Sequence, residues 1–272
     1  MLRSLASLTC LGLLLSACGS GGEESPSEAA ETTAPADASP TTTAPPTTAD
    51  DPGATSDSDA VPTTEDAGPP TPCDAGPESE WLDLAGAGEP DAFRLGEGSA
   101  GVVLLHQNDG RACNWVPFAE QLSDEGYAVI VPVMRSGTWP QPVIDLAAEH
   151  LREDGSAHVA LVGASMGGTY AIAATPELST PPDLVVAVSA PDFYRGASAR
   201  DVIGDLTVPI LLLAAEHDPT FVQEGEEMHA AAQDSELVIL QGSAAHGIRL
   251  LDLEPEAAAT VLDALREQAP AG

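Results

Sequence analysis

Residues 158–170 constrain this chain more than any other stretch. An apolar run of strand type, beginning at His158, leads into Gly163-Ala164-Ser165-Met166-Gly167, and small residues from Gly168 onward continue as a helix. The pattern is strand, tight turn, helix, with a serine at the apex. Such a turn strains the backbone of the serine, and a side chain at either flanking glycine would collide with the neighbouring strand or helix. The same geometry lifts the hydroxyl clear of the sheet edge. It also aims the first N–H groups of the new helix at whatever the hydroxyl attacks.

The rest of the chain, taken in order, supplies a sheet for this turn. Short strands are expected at 81–84 and 92–95, and a continuous apolar strand, buried on both faces, at 101–105. Helical spacing runs over 114–125 through Val116, Phe118, Ala119 and Leu122, and Gly126 ends it. Further strands are expected at 127–131, 158–162, 184–188, 208–214 and 236–240. Helices are expected at 142–151, 169–175, 220–232 and 255–268, the first with Val143, Leu146, Ala147 and His150 on one side. Strands that alternate with helices in this way predict an α/β fold: a mainly parallel sheet with helices on both faces. Ligands of such sheets bind at the carboxyl ends of the strands, where Ser165 is expected.

A serine hydroxyl is a poor nucleophile near neutral pH. It needs a base, and the base needs a carboxylate to fix its tautomer. Of the six histidines, His246 lies in a glycine-containing loop after the last expected strand and before the last helix, so it can reach over the serine. His217 is a competitor. For the acid, the run Leu211-Leu212-Leu213-Ala214-Ala215-Glu216-His217-Asp218-Pro219 carries a carboxylate at the end of a hydrophobic strand. Asp218 is favoured, although it would also serve as N-cap to a helix opened by Pro219. Glu216 and Asp192 are the alternatives.

The order Ser165, Asp218, His246, each at a strand end, resembles the α/β-hydrolase superfamily over residues 81–269. The resemblance implies an eight-stranded sheet, Ser165 as nucleophile, His246 as general base and acid, and Asp218 as its orienter. It also implies an oxyanion hole built from the backbone N–H of Met166 and one from the turn after the 101–105 strand. Many members have His-Gly there. This chain has His106-Gln107 with Asn108 next, which leaves Gln107 and Asn108 as alternative donors. About twenty residues separate the strands at 188 and 208, too few for a large lid domain. Phe193, Tyr194, Trp115, Met134 and Trp139 are the candidate walls of an open site.

Serine at the elbow, rather than aspartate or cysteine, disfavours haloalkane dehalogenase or dienelactone hydrolase chemistry. The reading is a serine hydrolase cleaving a carboxylic ester or related acyl bond, with no metal or organic cofactor implied. The alternatives are a catalytically inactive binding or surface protein on the same fold, or a serine peptidase or thioesterase.

The N-terminus adds a location. Residues 5–15 are apolar but too few to span a bilayer, so 1–17 reads as a secretory signal. Leu15-Ser16-Ala17-Cys18 resembles the lipobox of bacterial lipoproteins. That resemblance implies a lipid anchor on Cys18, on the extracytoplasmic side of the cell membrane. Residues 18–72 then form a spacer of Thr, Pro, Ala, Ser, Gly and acid, too poor in large apolar residues to offset chain entropy, and 73–272 the folded domain. With Cys10 removed and Cys18 lipidated, Cys73 and Cys113 remain, and an oxidising compartment suggests they pair. A formal net charge of −34, with arginine the sole basic residue besides histidine, argues against nucleic acid as a partner. Mass spectrometry of the mature protein should find Cys18 as a lipid-modified first residue. Cys18→Ala should release the protein from the membrane fraction, and an unmodified start elsewhere would contradict the anchor.

Overall fold

In the sequence, apolar runs of five to seven residues without polar alternation are suited to strands that bury both faces, and these runs form the centre of a sheet. The computed structural model describes residues 73–108, 111–135 and 137–272. The expected signal segment, the lipidation site at Cys18 and the spacer lie outside the described residues.

Two short strands lead, β1 (Glu80–Leu82) and β2 (Ala92–Leu95), followed by β3 (Ala100–Leu105). A 3-10 turn (Ala112–Trp115) and α1 (Val116–Asp124) connect to β4 (Tyr127–Pro132), and α2 (Gln141–Glu153) to β5 (His158–Ala164). Helix α3 (Met166–Ala174) follows the serine turn and leads to β6 (Leu184–Val188). A two-residue-per-strand hairpin, β7 (Phe193–Tyr194) and β8 (Ala197–Ser198), then precedes the single turn α4 (Ala199–Val202). The remainder is β9 (Ile210–Ala215), α5 (Pro219–Ala231), β10 (Ser235–Leu240), α6 (Ile248–Leu253) and α7 (Pro255–Gln268).

Eight strands make one sheet in the order β1-β2-β4-β3-β5-β6-β9-β10. β1 and β2 pair antiparallel, as do β2 and β4, and every other pairing in this sheet is parallel. The strand alternation divides the core in two. Val102 and Leu104 of β3, with Ala160 and Val162 of β5, face a layer formed by α1, α6 and α7. Val103 and Leu105, with Val159 and Leu161, face α2, α3, α4 and Met228 of α5. Burying each large aliphatic side chain contributes about 1.5–3 kcal/mol, so the paired layers fix which strand residue points where.

Two local expectations change. The buried face of α2 is Ile144, Ala147, Ala148 and Leu151, and Leu146 is 41% exposed. The stripe expected through Val143, Leu146, Ala147 and His150 is rotated by about one position. The Ile144 stripe keeps i, i+3, i+4, i+7 spacing with no polar member, whereas the other would bury His150, whose ring instead lies 3.5 Å from the Asp154 carboxylate. The hairpin β7–β8 and the short α6 were not expected from sequence, because two-residue strands and a single apolar turn carry too little periodicity to register.

Cys73 and Cys113 form the expected disulfide, with Cα atoms 6.2 Å apart and a sequence separation of 40. The bridge ties the start of the described chain to the 3-10 turn after β3. Loop-closure entropy for this span corresponds to about 4 kcal/mol. Cys73→Ser/Cys113→Ser should therefore lower the unfolding free energy in denaturant by up to about 4 kcal/mol. An unchanged midpoint would show that the bridge constrains nothing in the unfolded chain.

Candidate active site

The turn at Ser165 is held by backbone-to-backbone proximity on two sides. A Cβ built on Gly163 would lie 2.2 Å from the carbonyl oxygen of Gly167, and one on Gly167 would lie 2.0 Å from the carbonyl oxygen of Leu105 in β3. Neither position has room for a methyl group. Ser165 adopts φ 48°, ψ −117°, a region that costs about 1–3 kcal/mol for a residue with a side chain. The surroundings hold it there: its N–H donates to Val188 O at 2.8 Å, and its carbonyl accepts from the N–H groups of Gly168 and Thr169. Every residue of α3 is buried. The helix runs through the protein interior and leaves its first N–H, that of Met166, at the serine.

Two neighbouring strand ends supply the other side chains. Asp218 stands at the N-cap position of α5, but its carboxylate makes no capping bond. It accepts instead from His246 Nδ1 at 2.7 Å. Ser165 Oγ in turn donates to His246 Nε2 at 2.9 Å. With Nδ1–H committed to a carboxylate, Nε2 is the lone-pair nitrogen and faces the hydroxyl. Phe221 lies against the imidazole, ring centroids 4.3 Å apart. The loops that carry the acid and the histidine are stitched together. His217 N donates to Ser243 O at 2.8 Å, Glu216 N to Leu240 O at 3.0 Å, and Gly242 N to the Glu216 carboxylate at 2.7 Å.

Comparison with solved structures gives several matches over the folded part. A dienelactone hydrolase of Anabaena variabilis superposes with TM-score 0.57 at 19% identity, covering 71% of this chain and 96% of that one. A predicted hydrolase of Thermoplasma acidophilum gives 0.56 at 21%, covering 70% and 97%. An esterase of Pyrococcus furiosus gives 0.54 at 17%, covering 65% and 86%. The chain has the α/β-hydrolase fold. No family model matches the sequence. No curated protein matches it either.

Within this α/β-hydrolase fold the other candidates for base and acid are engaged elsewhere. His150 and His158 lie beside Asp154 and Asp183, and His229 beside the Ser235 hydroxyl. The side chain of His217, the competing base, is 61% exposed. Glu216 braces the histidine loop through Gly242. Asp192 is buried and holds Arg200 at 2.6 Å. Burial raises the carboxyl of Glu224 above the usual carboxylate range, and the neighbouring Asp192 charge adds to this.

His106 has a structural part in the turn after β3, where the oxyanion donors Gln107 and Asn108 are expected. Its Nε2 accepts the N–H of Met134 at 3.0 Å, which places its proton on Nδ1, and that nitrogen donates to Gln107 O at 2.8 Å. The turn is thereby fastened to the end of β4. Met134, Met166, Tyr170, His106 and Asn108 line a small hollow beside the serine turn, and the hydroxyl of Tyr194 donates to Asn108 Oδ1 at 2.5 Å. Trp139 lines an adjoining groove of about 240 Å³. Two expected walls fall elsewhere. Trp115 is fully buried in the core beneath α1, because its large apolar ring fills the layer on the other face of the sheet. Phe193 is 50% exposed at the outside of the hairpin, with Arg200 over its ring.

One positioning contact had no sequence signal. Gln107 Oε1 accepts the N–H of Ile248, first in α6, at 3.1 Å. Gly247, with φ 59°, lies against that amide so closely that a Cβ would come 2.3 Å from Oε1. The Gln107 side chain thus joins the turn after β3 to the loop carrying His246. Losing a part-buried acceptor of this kind costs about 1–2 kcal/mol. If the site turns over an ester, Gln107→Leu should lower kcat about tenfold with little change in KM. An unaltered kcat would mean that the histidine loop holds its place without this bond.

Proposed function

We propose that this protein is a serine hydrolase that cleaves carboxylic esters or related acyl bonds. The reading rests on one observation: Ser165 Oγ, His246 and Asp218, from three separate strand ends, form a continuous hydrogen-bonded relay with 2.9 and 2.7 Å links. As Oγ attacks the acyl carbon, His246 Nε2 takes its proton, and Asp218 stabilises the imidazolium and keeps the ring oriented. The tetrahedral oxyanion is held by the N–H of Met166 and one from the Gln107–Asn108 turn. His246 then protonates the departing alcohol as the acyl–oxygen bond breaks, leaving an acyl-enzyme. Water, deprotonated by the same nitrogen, releases the acid and restores Ser165. Fold likeness to an esterase is consistent with this chemistry but does not carry it.

Substrates of moderate size and open access fit the site. Between β6 and β9 the described residues form only a small hairpin and short helical turns, and the His246 side chain is 36% exposed. We further propose that the enzyme works outside the cytoplasm, held to the membrane by a lipid on Cys18. The Cys73–Cys113 bridge suits that compartment.

A fluorophosphonate probe applied to the full chain should label it at Ser165. Labelling should vanish in Ser165→Ala, and ester turnover should fall by about 10⁴-fold or more in His246→Ala and Asp218→Asn. A folded wild-type protein that takes no label and hydrolyses no ester would instead favour a binding protein on a hydrolase fold.

A further inference from the structure

Arginine is scarce in this chain, and one of its arginines is placed against the surrounding pattern. There are 9 basic and 43 acidic residues, so a guanidinium has carboxylates available on every side. Arg94, Arg135, Arg152, Arg200 and Arg266 each lie within ion-pair distance of one. Among the described residues no carboxylate lies within that distance of Arg195 or of Arg249, and of these two it is Arg195 that lines the hollow beside Met166. Its guanidinium sits 5.4 Å from the centre of the Tyr194 ring.

Its position is unusual as well. Arg195 and Gly196 form the two-residue turn of the β7–β8 hairpin, with φ of 45° and 93°. Such turns favour Asn-Gly, because asparagine tolerates the left-handed region better than a long side chain does. An arginine here is a poor choice for the turn. The turn borders the space next to Met166, the residue after Ser165: Arg195 lines both the hollow beside Met166 and the adjoining groove with Trp139, and the two share Tyr170. Trp139, Tyr170 and Tyr194 stand edge to face in a row, centroids 5.7 and 5.9 Å apart, and form an apolar wall that ends at the cation. Arg135, which also lines the hollow, is 63% exposed and only loosely paired with Glu89 at 3.4 Å.

We propose that this pocket selects esters bearing a carboxylate, with Arg195 as the residue that binds the anion and Arg135 as a second, weaker cation beside it. The body of the substrate lies along Trp139 and Tyr170. A planar guanidinium can take both oxygens of a carboxylate at once, which lysine cannot do. In a molecule this acidic an anionic substrate is otherwise repelled, so a local cation has to supply the selection. The proposal rests on the hydrolase reading above.

The test compares matched esters on the full chain: p-nitrophenyl hemiglutarate against p-nitrophenyl valerate, and 4-acetoxybenzoate against phenyl acetate. In at least one pair the carboxylate ester should have a kcat/KM about tenfold higher, carried by KM, and 0.5 M NaCl should shrink the difference. Arg195→Asn should lower kcat/KM about tenfold more for the carboxylate ester than for its neutral partner, and Arg195→Lys should restore part of that selectivity. Because asparagine suits φ 45°, the Tm of Arg195→Asn should equal or exceed that of wild type, which separates lost recognition from lost folding. Hydrolysis of the neutral esters with no preference in either pair, or an equal loss on both members of a pair, overturns the proposal and leaves the hydrolase reading standing. Calorimetric binding of the same esters to Ser165→Ala separates the reverse case. Carboxylate binding that depends on Arg195, without turnover by wild type, would retain the anion site and overturn the hydrolase reading.

Discussion

The approach of three backbones at the serine turn is the constraint on which the rest depends. The carbonyls of Gly167 and Leu105 lie where side chains at residues 163 and 167 would begin, so β3, β5 and α3 meet without any side chain between them. That contact forces Ser165 into its left-handed conformation and keeps it there. It also requires α3 to enter the interior, and the helix accordingly carries no charged residue and buries all nine of its positions. Once β5 and α3 are fixed, parallel pairing brings the ends of β9 and β10 to the same edge of the sheet. The acid and histidine loops therefore start within reach of the hydroxyl.

Much of this was legible in the sequence because it depends on local rules. Continuous apolar runs gave the parallel strands, and the helix at Pro255–Gln268 was read to the residue because proline opens it and its spacing is regular. The glycines at 163 and 167 were legible as a steric requirement. What escaped depends on tertiary context. The choice between two overlapping stripes on α2 is decided by which one keeps a histidine out of the core. By chemical type Trp115 reads as a site residue, whereas its place in the layer beneath α1 is set by the volume to be filled there. The Gln107 amide reaches a residue 141 positions away, and no periodicity encodes such a contact.

Charge and geometry interact in an unusual way here. Excess acid makes most ion pairs at the surface readily available and individually weak, since exposed pairs contribute about 0–1 kcal/mol. A paired arginine in this molecule therefore says little. An arginine without a carboxylate, in a turn that disfavours it and beside the hollow at Met166, says more. The disulfide acts on the same region from the opposite side. It fastens the 3-10 turn at Ala112–Trp115, so the stretch after β3 is held at both ends, at one covalently and at the other through His106 and Met134.

The relay joins parts of the molecule that differ in rigidity. Ser165 joins a strand with neighbours on both sides to a helix wholly enclosed. His246 comes from a loop beyond β10, the edge strand, whose residues are mostly only partly covered. Local opening of proteins begins where buried apolar contact is thinnest. On warming, the imidazole would thus lose its register while the elbow stayed intact, and the Ser165–His246 contact would be lost ahead of the calorimetric transition. Efforts to make such a molecule durable would belong at the β10 margin and the loop after it, since the serine side has no slack left to remove.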